Sequence, residues 1–204
     1  MDWRDKSNGY EEIAAGFIAG RGQNASGIGA SVVAEWARTL PDGATVLDLG
    51  CGTGVPISQV LMDRGCQVYG VDASASMVAA FRARFPAVAV ECAAAEDSDF
   101  FRRSFDAVVA WGLFFLLEKE VQLRLIAKVA TVLASGGKFL FTAPSQICSW
   151  SDAMTGRTSI SLGFEAYRDA LEAAGMSLIG TCSDVGENFY YFAQACATST
   201  PIAS

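Results

Sequence analysis

Apolar and polar positions along the chain divide it into three stretches with different periods. Over the first ~40 residues the spacing is helical. Ile13, Phe17 and Ile18 fall at i, i+4 and i+5, and a segment from Ser26 or Ile28 to Leu40 places Val32, Val33, Trp36 and Leu40 on one side. Pro41-Asp42-Gly43 then marks a turn. From residue 44 to 143 short β-rich runs alternate with helical ones. Strands are predicted at 45–49, 67–72, 88–92, 105–111 and 138–143, with helices at 55–64, 74–85 and 118–133. Pro56 is tolerated in a first helical turn, Gly65 closes that helix, and Ser74 or Ser76 caps the next one, which Pro86 stops. The helix at 118–133 carries Val121, Leu125, Val129 and Val132 on one stripe, and Ser135-Gly136-Gly137 breaks it. The fourth strand is apolar throughout, as a strand covered on both faces must be.

Strict strand–helix alternation implies a doubly wound parallel sheet. The last third departs from it. A helix at 164–174 is closed by Gly175, and strands at 176–182 and 189–196 are joined by only Ser183 to Asn188. That joint suits a hairpin and is too short for a crossover, so the last strand is expected to run antiparallel. Residues 145–163, rich in Ser and Thr, read as a loop of ~20 residues, a length usually kept for function. The predicted organisation is a single domain over residues 1–204: a helical cap at 1–40, a ligand-binding core at 44–144, and a substrate-side loop, helix and hairpin at 145–204.

Composition narrows the chemistry. The 204 residues contain no histidine, which removes every His-based metal site, nucleophile pair or general base. The six cysteines form no CxxC pair, and with no apolar export signal in the first residues they are expected to be reduced and cytoplasmic. The longest apolar run, Ala107 to Leu117, falls short of the about 20 residues of a membrane span. The net charge of −7, without a basic block, argues against nucleic acid as a partner.

Gly50, Gly52 and Gly54 stand where the first strand meets its helix. Such a turn admits a ligand close to the backbone. A dinucleotide fingerprint would put its third glycine at Val55. Asp48, just upstream, would repel a pyrophosphate and attract an ammonium or sulfonium. Asp72, at the end of the second strand, is placed to accept ribose hydroxyls.

These residues carry a resemblance. VLDLGCGTG, VYGVDAS, FDAVVAWGLFFLL and LASGGKFLFTAP are similar to the successive motifs of class I S-adenosylmethionine-dependent methyltransferases. The resemblance implies an α/β, Rossmann-like fold with a seven-stranded sheet of order 3-2-1-4-5-7-6, strand seven antiparallel, and helices on both faces. It implies that S-adenosylmethionine is the cofactor, with no metal. It places Asp48, Gly50 and Gly52 by the methionine part, Asp72 on the ribose, and Ala73 and Met77 on the adenine side. Ala95 and Glu96 hold the adenine edge, and the Trp111 backbone meets the amino group. Where many relatives carry an acid this chain has Ala94, and Glu96 takes over that contact. Tyr10, Phe17 and Arg21 resemble a helical lid in which Arg21 pairs the methionine carboxylate. WSDAMTGRTSISLG and DVGENFYY resemble a small bacterial subgroup, with Phe189 where relatives carry histidine.

The expected partner is a small-molecule methyl acceptor, with substrate-side candidates Trp150, Asp152, Arg157, Asp184, Glu187 and Tyr190. Of Trp111, Phe114 and Phe115, one is expected to face the ligand. Tyr190 and Tyr191 alternate onto opposite faces. The oligomeric state stays open between monomer and homodimer. A cofactor-binding module without catalysis and a nicotinamide-dependent oxidoreductase are the alternative readings.

Overall fold

The computed structural model describes residues 6–196; the first five residues of the expected cap and the last eight of the chain lie outside the described residues. The cap holds α1 (Ala14–Ala19) and α2 (Ala30–Ala37). Then come β1 (Thr45–Leu49), α3 (Ile57–Asp63), β2 (Gln67–Asp72), α4 (Ala75–Arg84), β3 (Ala89–Cys92) and β4 (Phe105–Ala110). The second half runs α5 (Lys119–Val132), β5 (Leu133–Thr142), β6 (Ile147–Ser151), β7 (Thr158–Leu162), α6 (Phe164–Ala173), β8 (Met176–Ser183) and β9 (Phe189–Ala195).

The main sheet has the order β3-β2-β1-β4-β5-β9-β8, with β9 antiparallel to both neighbours. With β6 and β7 set aside, this is the order and the antiparallel strand implied by the sequence. β4 shows why its run is continuously apolar. Phe105, Val108 and Ala110 pack on one face with α5 and α6, and Ala107 and Val109 pack on the other with α2 and α3. Tyr191 and Tyr190 divide between the same two faces, both fully buried. The α5–α6 face is dominated by rings. Tyr191 stacks on Phe141 at 4.6 Å with planes 4° apart, and Tyr167 meets both edge-on.

Two expectations need correction. Residues 147–162 are not an unstructured loop but a hairpin, β6 paired antiparallel with β7 in a separate two-stranded sheet. Its alternation is written mainly in Ser, Cys and Thr, so hydrophobic patterning does not display it: Ser159 and Ser161 are buried alongside Leu162. The stripe of α5 is also rotated. Gln122, Leu125, Ile126 and Val129 are buried, while Val121 and Val132 lie half-exposed.

Gln122 faces inward because its amide is fully used. Its Nε2 donates to the Leu117 carbonyl at 2.8 Å and the Ile160 carbonyl at 3.3 Å, and its Oε1 accepts the Tyr167 hydroxyl at 2.6 Å. The Tyr167 oxygen in turn accepts the Leu162 N–H at 3.2 Å. One buried side chain thus ties α5 to the hairpin and to α6. Replacing it with Leu strands these partners in a dry core. We predict that Gln122→Leu lowers unfolding free energy by about 3 kcal/mol in denaturant titration. Val121→Ala, on the outer side, should cost about 1 kcal/mol or less; equal effects would refute the assignment of the inward face.

Candidate functional site

The carboxyl ends of β1, β2, β4 and β5 open into one cavity of about 670 Å³. Parallel strands place it there: β1 lies between β2 and β4, and the chain leaves β1 toward one side and β4 toward the other. The turn after β1 forms the floor. The Gly50 N–H donates to the Val71 carbonyl at 2.8 Å and the Gly54 N–H to Cys51 at 2.9 Å, so the turn is strapped to β2. Gly54 has φ +81°, and a Cβ there would stand 2.7 Å from the Phe85 ring and 2.8 Å from Phe81. No other residue fits against α4 so closely.

All ten residues expected on the cofactor side line this cavity: Arg21, Asp48, Gly50, Gly52, Asp72, Ala73, Met77, Ala95, Glu96 and Trp111. Asp72 is fixed by two backbone donors, Gly52 N–H to Oδ2 and Ser74 N–H to Oδ1, both at 2.8 Å. Burial raises its pKa most, and the Glu11 carboxylate adds to this. Free lone pairs remain on both oxygens for further donors. Glu96 has one oxygen 3.3 Å from the Lys6 ammonium, while its Oε2 is buried with no partner. The turn bearing Glu96 is gathered by Lys128 of α5, whose Nζ donates to the carbonyls of Ala95 at 3.1 Å and Glu96 at 2.9 Å, and to that of Ser98. The same ammonium lies 4.3 Å from the Phe100 ring centre.

Asp48 lies on the α3 side of β1, almost fully buried, and accepts the Ser58 hydroxyl at 2.5 Å. Loss of water around the carboxylate pushes its pKa up to about 7; Ser58 opposes the rise and Asp72 adds to it.

The substrate-side candidates divide. Trp150, Asp152 and Glu187 line the cavity; Arg157, Asp184 and Tyr190 do not. Arg157 reaches Glu12 of the N-terminal segment at 2.9 Å. Asp184 organises the β8–β9 turn, accepting from Gly186, Asn188 and the Tyr190 hydroxyl. Tyr190 is sealed beneath the site, its oxygen also accepting the Trp111 indole N–H at 2.9 Å. Of the three aromatic residues after β4, Trp111 and Phe115 line the cavity and Phe114 is core. Two walls went unread in the sequence. Asn8, in a left-handed turn with φ 52°, lines the cavity with a buried and unpartnered Nδ2. Leu113 and Met154 line it as well. An Asn-Gly pair at 8–9 was the signal for that turn.

The N-terminal segment roofs the cavity by polar contacts. Glu11 accepts from the hydroxyls of Ser74 at 2.5 Å and Ser76 at 2.6 Å, Lys6 pairs with Asp97 at 2.6 Å, and Arg84 donates to the Gly22 carbonyl at 2.6 Å. Only Ala14 of α1 is buried.

A floor that admits backbone approach, a ribose-ready acid on β2 and an unpartnered acceptor after β3 fit S-adenosylmethionine. Comparison with known proteins agrees: a methyltransferase-domain family profile matches residues 46–137. Residues 46–137 form a methyltransferase domain of the class I, S-adenosylmethionine-dependent type. The domain is 38% identical over 113 residues to a cypemycin N-terminal methyltransferase from Streptomyces sp, covering 53% of this chain and 46% of that protein. It is 31% identical over 104 residues to an uncharacterized methyltransferase of Anoxybacillus flavithermus, covering 48% and 46%. The chain thus spans about half the length of the curated relatives it matches. Among solved structures, a 1,6-didemethyltoxoflavin N1-methyltransferase of Burkholderia thailandensis, bound to its substrate and S-adenosylhomocysteine, superposes with TM-score 0.72 at 15% identity, covering 94% of this chain and 87% of that one. An amino pentose methyltransferase of Micromonospora echinaspora, bound to S-adenosylmethionine, gives 0.69 at 20%, covering 89% and 96%. Among the described residues of the methyltransferase domain there is no group of three or more potential metal ligands, and no helix long and apolar enough to cross a membrane.

The buried Asp48 carboxyl makes a pH prediction. Its folded pKa lies above the unfolded one, so the folded state keeps a proton that the unfolded chain has lost. Its stabilising contribution is therefore present at acidic pH and is lost as pH rises through about 7. Ligand-free wild type should lose stability against Asp48→Asn over that window in thermal unfolding. S-adenosylhomocysteine, whose ammonium favours the ionised carboxylate, should bind wild type more tightly as pH rises through about 7. A pH-independent difference between the two proteins would contradict this account.

Proposed function

We propose that the protein transfers the methyl group of S-adenosylmethionine directly to a small-molecule acceptor. One observation carries the reading: the cavity does not end at the cofactor-side residues. Trp150, Asp152 and Glu187 line the same cavity as Asp72, Glu96 and the glycine turn. A module that only bound the cofactor would need the latter residues and not the former.

In this proposal Asp72 accepts the ribose hydroxyls and Glu96 Oε2 accepts the adenine amino group, which satisfies an otherwise orphaned buried oxygen. Asp48 faces the ammonium of the methionine part, and Arg21, at the exposed rim, pairs its carboxylate. When bound, S-adenosylmethionine supplies an activated methyl group on a sulfonium centre. The residues of the chain hold the acceptor in line and keep water out. Trp111 contributes through its fixed position: its indole bonds to Tyr190 and packs against Gly29, where a Cβ would stand 2.6 Å from Nε1. A matched relative is named as a cypemycin N-terminal methyltransferase, and a protein of the same fold as an amino pentose methyltransferase, which supports the reading of transfer to a separate acceptor. A volume of about 670 Å³ suits a cofactor and a compact acceptor together.

Isothermal calorimetry tests the cofactor half. Wild type should bind S-adenosylhomocysteine, and Asp72→Ala should weaken that binding by about tenfold or more, since a hydrogen bond to a charged group is worth roughly 1.5–3 kcal/mol. Transfer of labelled methyl to an acceptor panel tests the catalytic half. Cofactor binding with no transfer to any acceptor would leave the binding-module reading standing.

A further inference from the structure

Asp152 is built differently from the other acids around the cavity. It closes the β6–β7 turn: its N–H donates to the Arg157 carbonyl and its own carbonyl accepts the Gly156 N–H, both at 2.8 Å. Its Oδ1 accepts from Met154 N–H and Thr155 N–H, each at 2.9 Å, and from the Thr155 hydroxyl at 3.2 Å. The residue is 8% exposed and lines the cavity. Oδ2 has no partner among the described residues. One oxygen therefore locks the carboxylate in place and the other is left to whatever enters.

Its surroundings select for charge. The Trp150 and Phe115 rings lie 5.5 Å apart at the cavity wall, and Tyr10 stands edge-on to Phe17 at 6.0 Å. Tyr10 senses the Asp152 charge: burial first, and then that carboxylate, push its phenol up to about 12, with Arg21 opposing. Glu187, an exposed carboxylate, lines the same cavity. Aromatic faces beside a fixed, buried anion attract an organic cation. An acidic acceptor such as a carboxylate or thiolate would be repelled.

We infer that the acceptor is an amine and that Asp152 receives its ammonium group through Oδ2. The inference rests on the methyl-transfer reading above. The bound ammonium gives one proton to Oδ2, which releases it to solvent through the open cavity. The freed nitrogen lone pair forms the N–C bond, and the C–S bond breaks with its electron pair staying on sulfur. Positive charge thus leaves sulfur and arrives at nitrogen, where the carboxylate is already in place to stabilise it. Asp152 is a catalytic residue in this scheme because it touches the reacting group.

The test uses two probes of one shape, phenethylamine and phenethyl alcohol, titrated into protein saturated with S-adenosylhomocysteine. Wild type should bind the amine about tenfold more tightly than the alcohol, the discrimination expected of a charged hydrogen bond. Asp152→Asn keeps an Oδ1 for the Met154 and Thr155 donors and changes only the free position. It should hold S-adenosylhomocysteine within about twofold of wild type and lose the preference. Equal binding of the two probes by wild type, no binding of the amine, or a preference that survives Asp152→Asn overturns the inference. The wild-type comparison decides by itself if the variant does not fold. Failure of wild type to bind S-adenosylhomocysteine is a separate result and removes the methyl-transfer reading as well.

Discussion

The reversal of strand order between β1 and β4 is the constraint on which the rest of the molecule depends. A sheet that grows outward in both directions from its middle leaves a crevice where the two directions part, at the carboxyl ends of the central strands. Everything ligand-like in this chain is assembled around that crevice. β1 delivers the glycine turn and Asp48, β2 delivers Asp72, and β4 delivers Trp111. These three groups are far apart in sequence. Their convergence follows from parallel pairing in register, which brings the ends of β1, β2 and β4 to one level.

The same constraint explains what the sequence disclosed. Strands buried on both faces are written in continuous apolar residues, and their ends are punctuated by glycine or aspartate. β1 and β2 accordingly have the boundaries read from the pattern, and the hairpin logic assigned β9 its direction. Residues fixed by a strand end were legible for the same reason. The failures come from places where position is set by polar contacts. Gln122 looks like a surface residue of α5, yet it is buried and its amide has three partners. β6 and β7 bury Ser159 and Ser161 rather than valines. Arg157 is a substrate-side candidate because it lies in a polar connecting segment, and Asp184 and Tyr190 because DVGENFYY resembles a methyltransferase subgroup. The structure uses Arg157 to hold the N-terminal segment, and uses Asp184 with Tyr190 to fix the β8–β9 turn and the Trp111 ring. Asn8 joins the cavity through long-range folding of the N-terminal segment; the Asn8-Gly9 pair signals the turn but not what it faces.

Electrostatics in the cavity are one-sided. Asp48, Asp72, Glu96, Asp152 and Glu187 line a space whose cations, among the described residues, are the exposed Lys6 and Arg21. Burial raises the pKa values of Asp48 and Asp72 most, and neighbouring carboxylates add a smaller repulsion. A cationic ligand relieves that repulsion. The arrangement therefore trades some stability of the free protein for affinity.

The Gln122 network distinguishes the two boundaries of the cavity. It ties Ile160 of β7 and Tyr167 of α6 to α5, so the hairpin wall is joined to the core behind it. The opposite boundary, the N-terminal segment, is fastened by hydrogen bonds and ion pairs at its rim and buries only Ala14 of α1. Contacts of that kind are individually weak and are weakened further by salt. The two boundaries are thus held by different physics: a buried amide network that salt does not reach on one side, and rim contacts that salt weakens on the other.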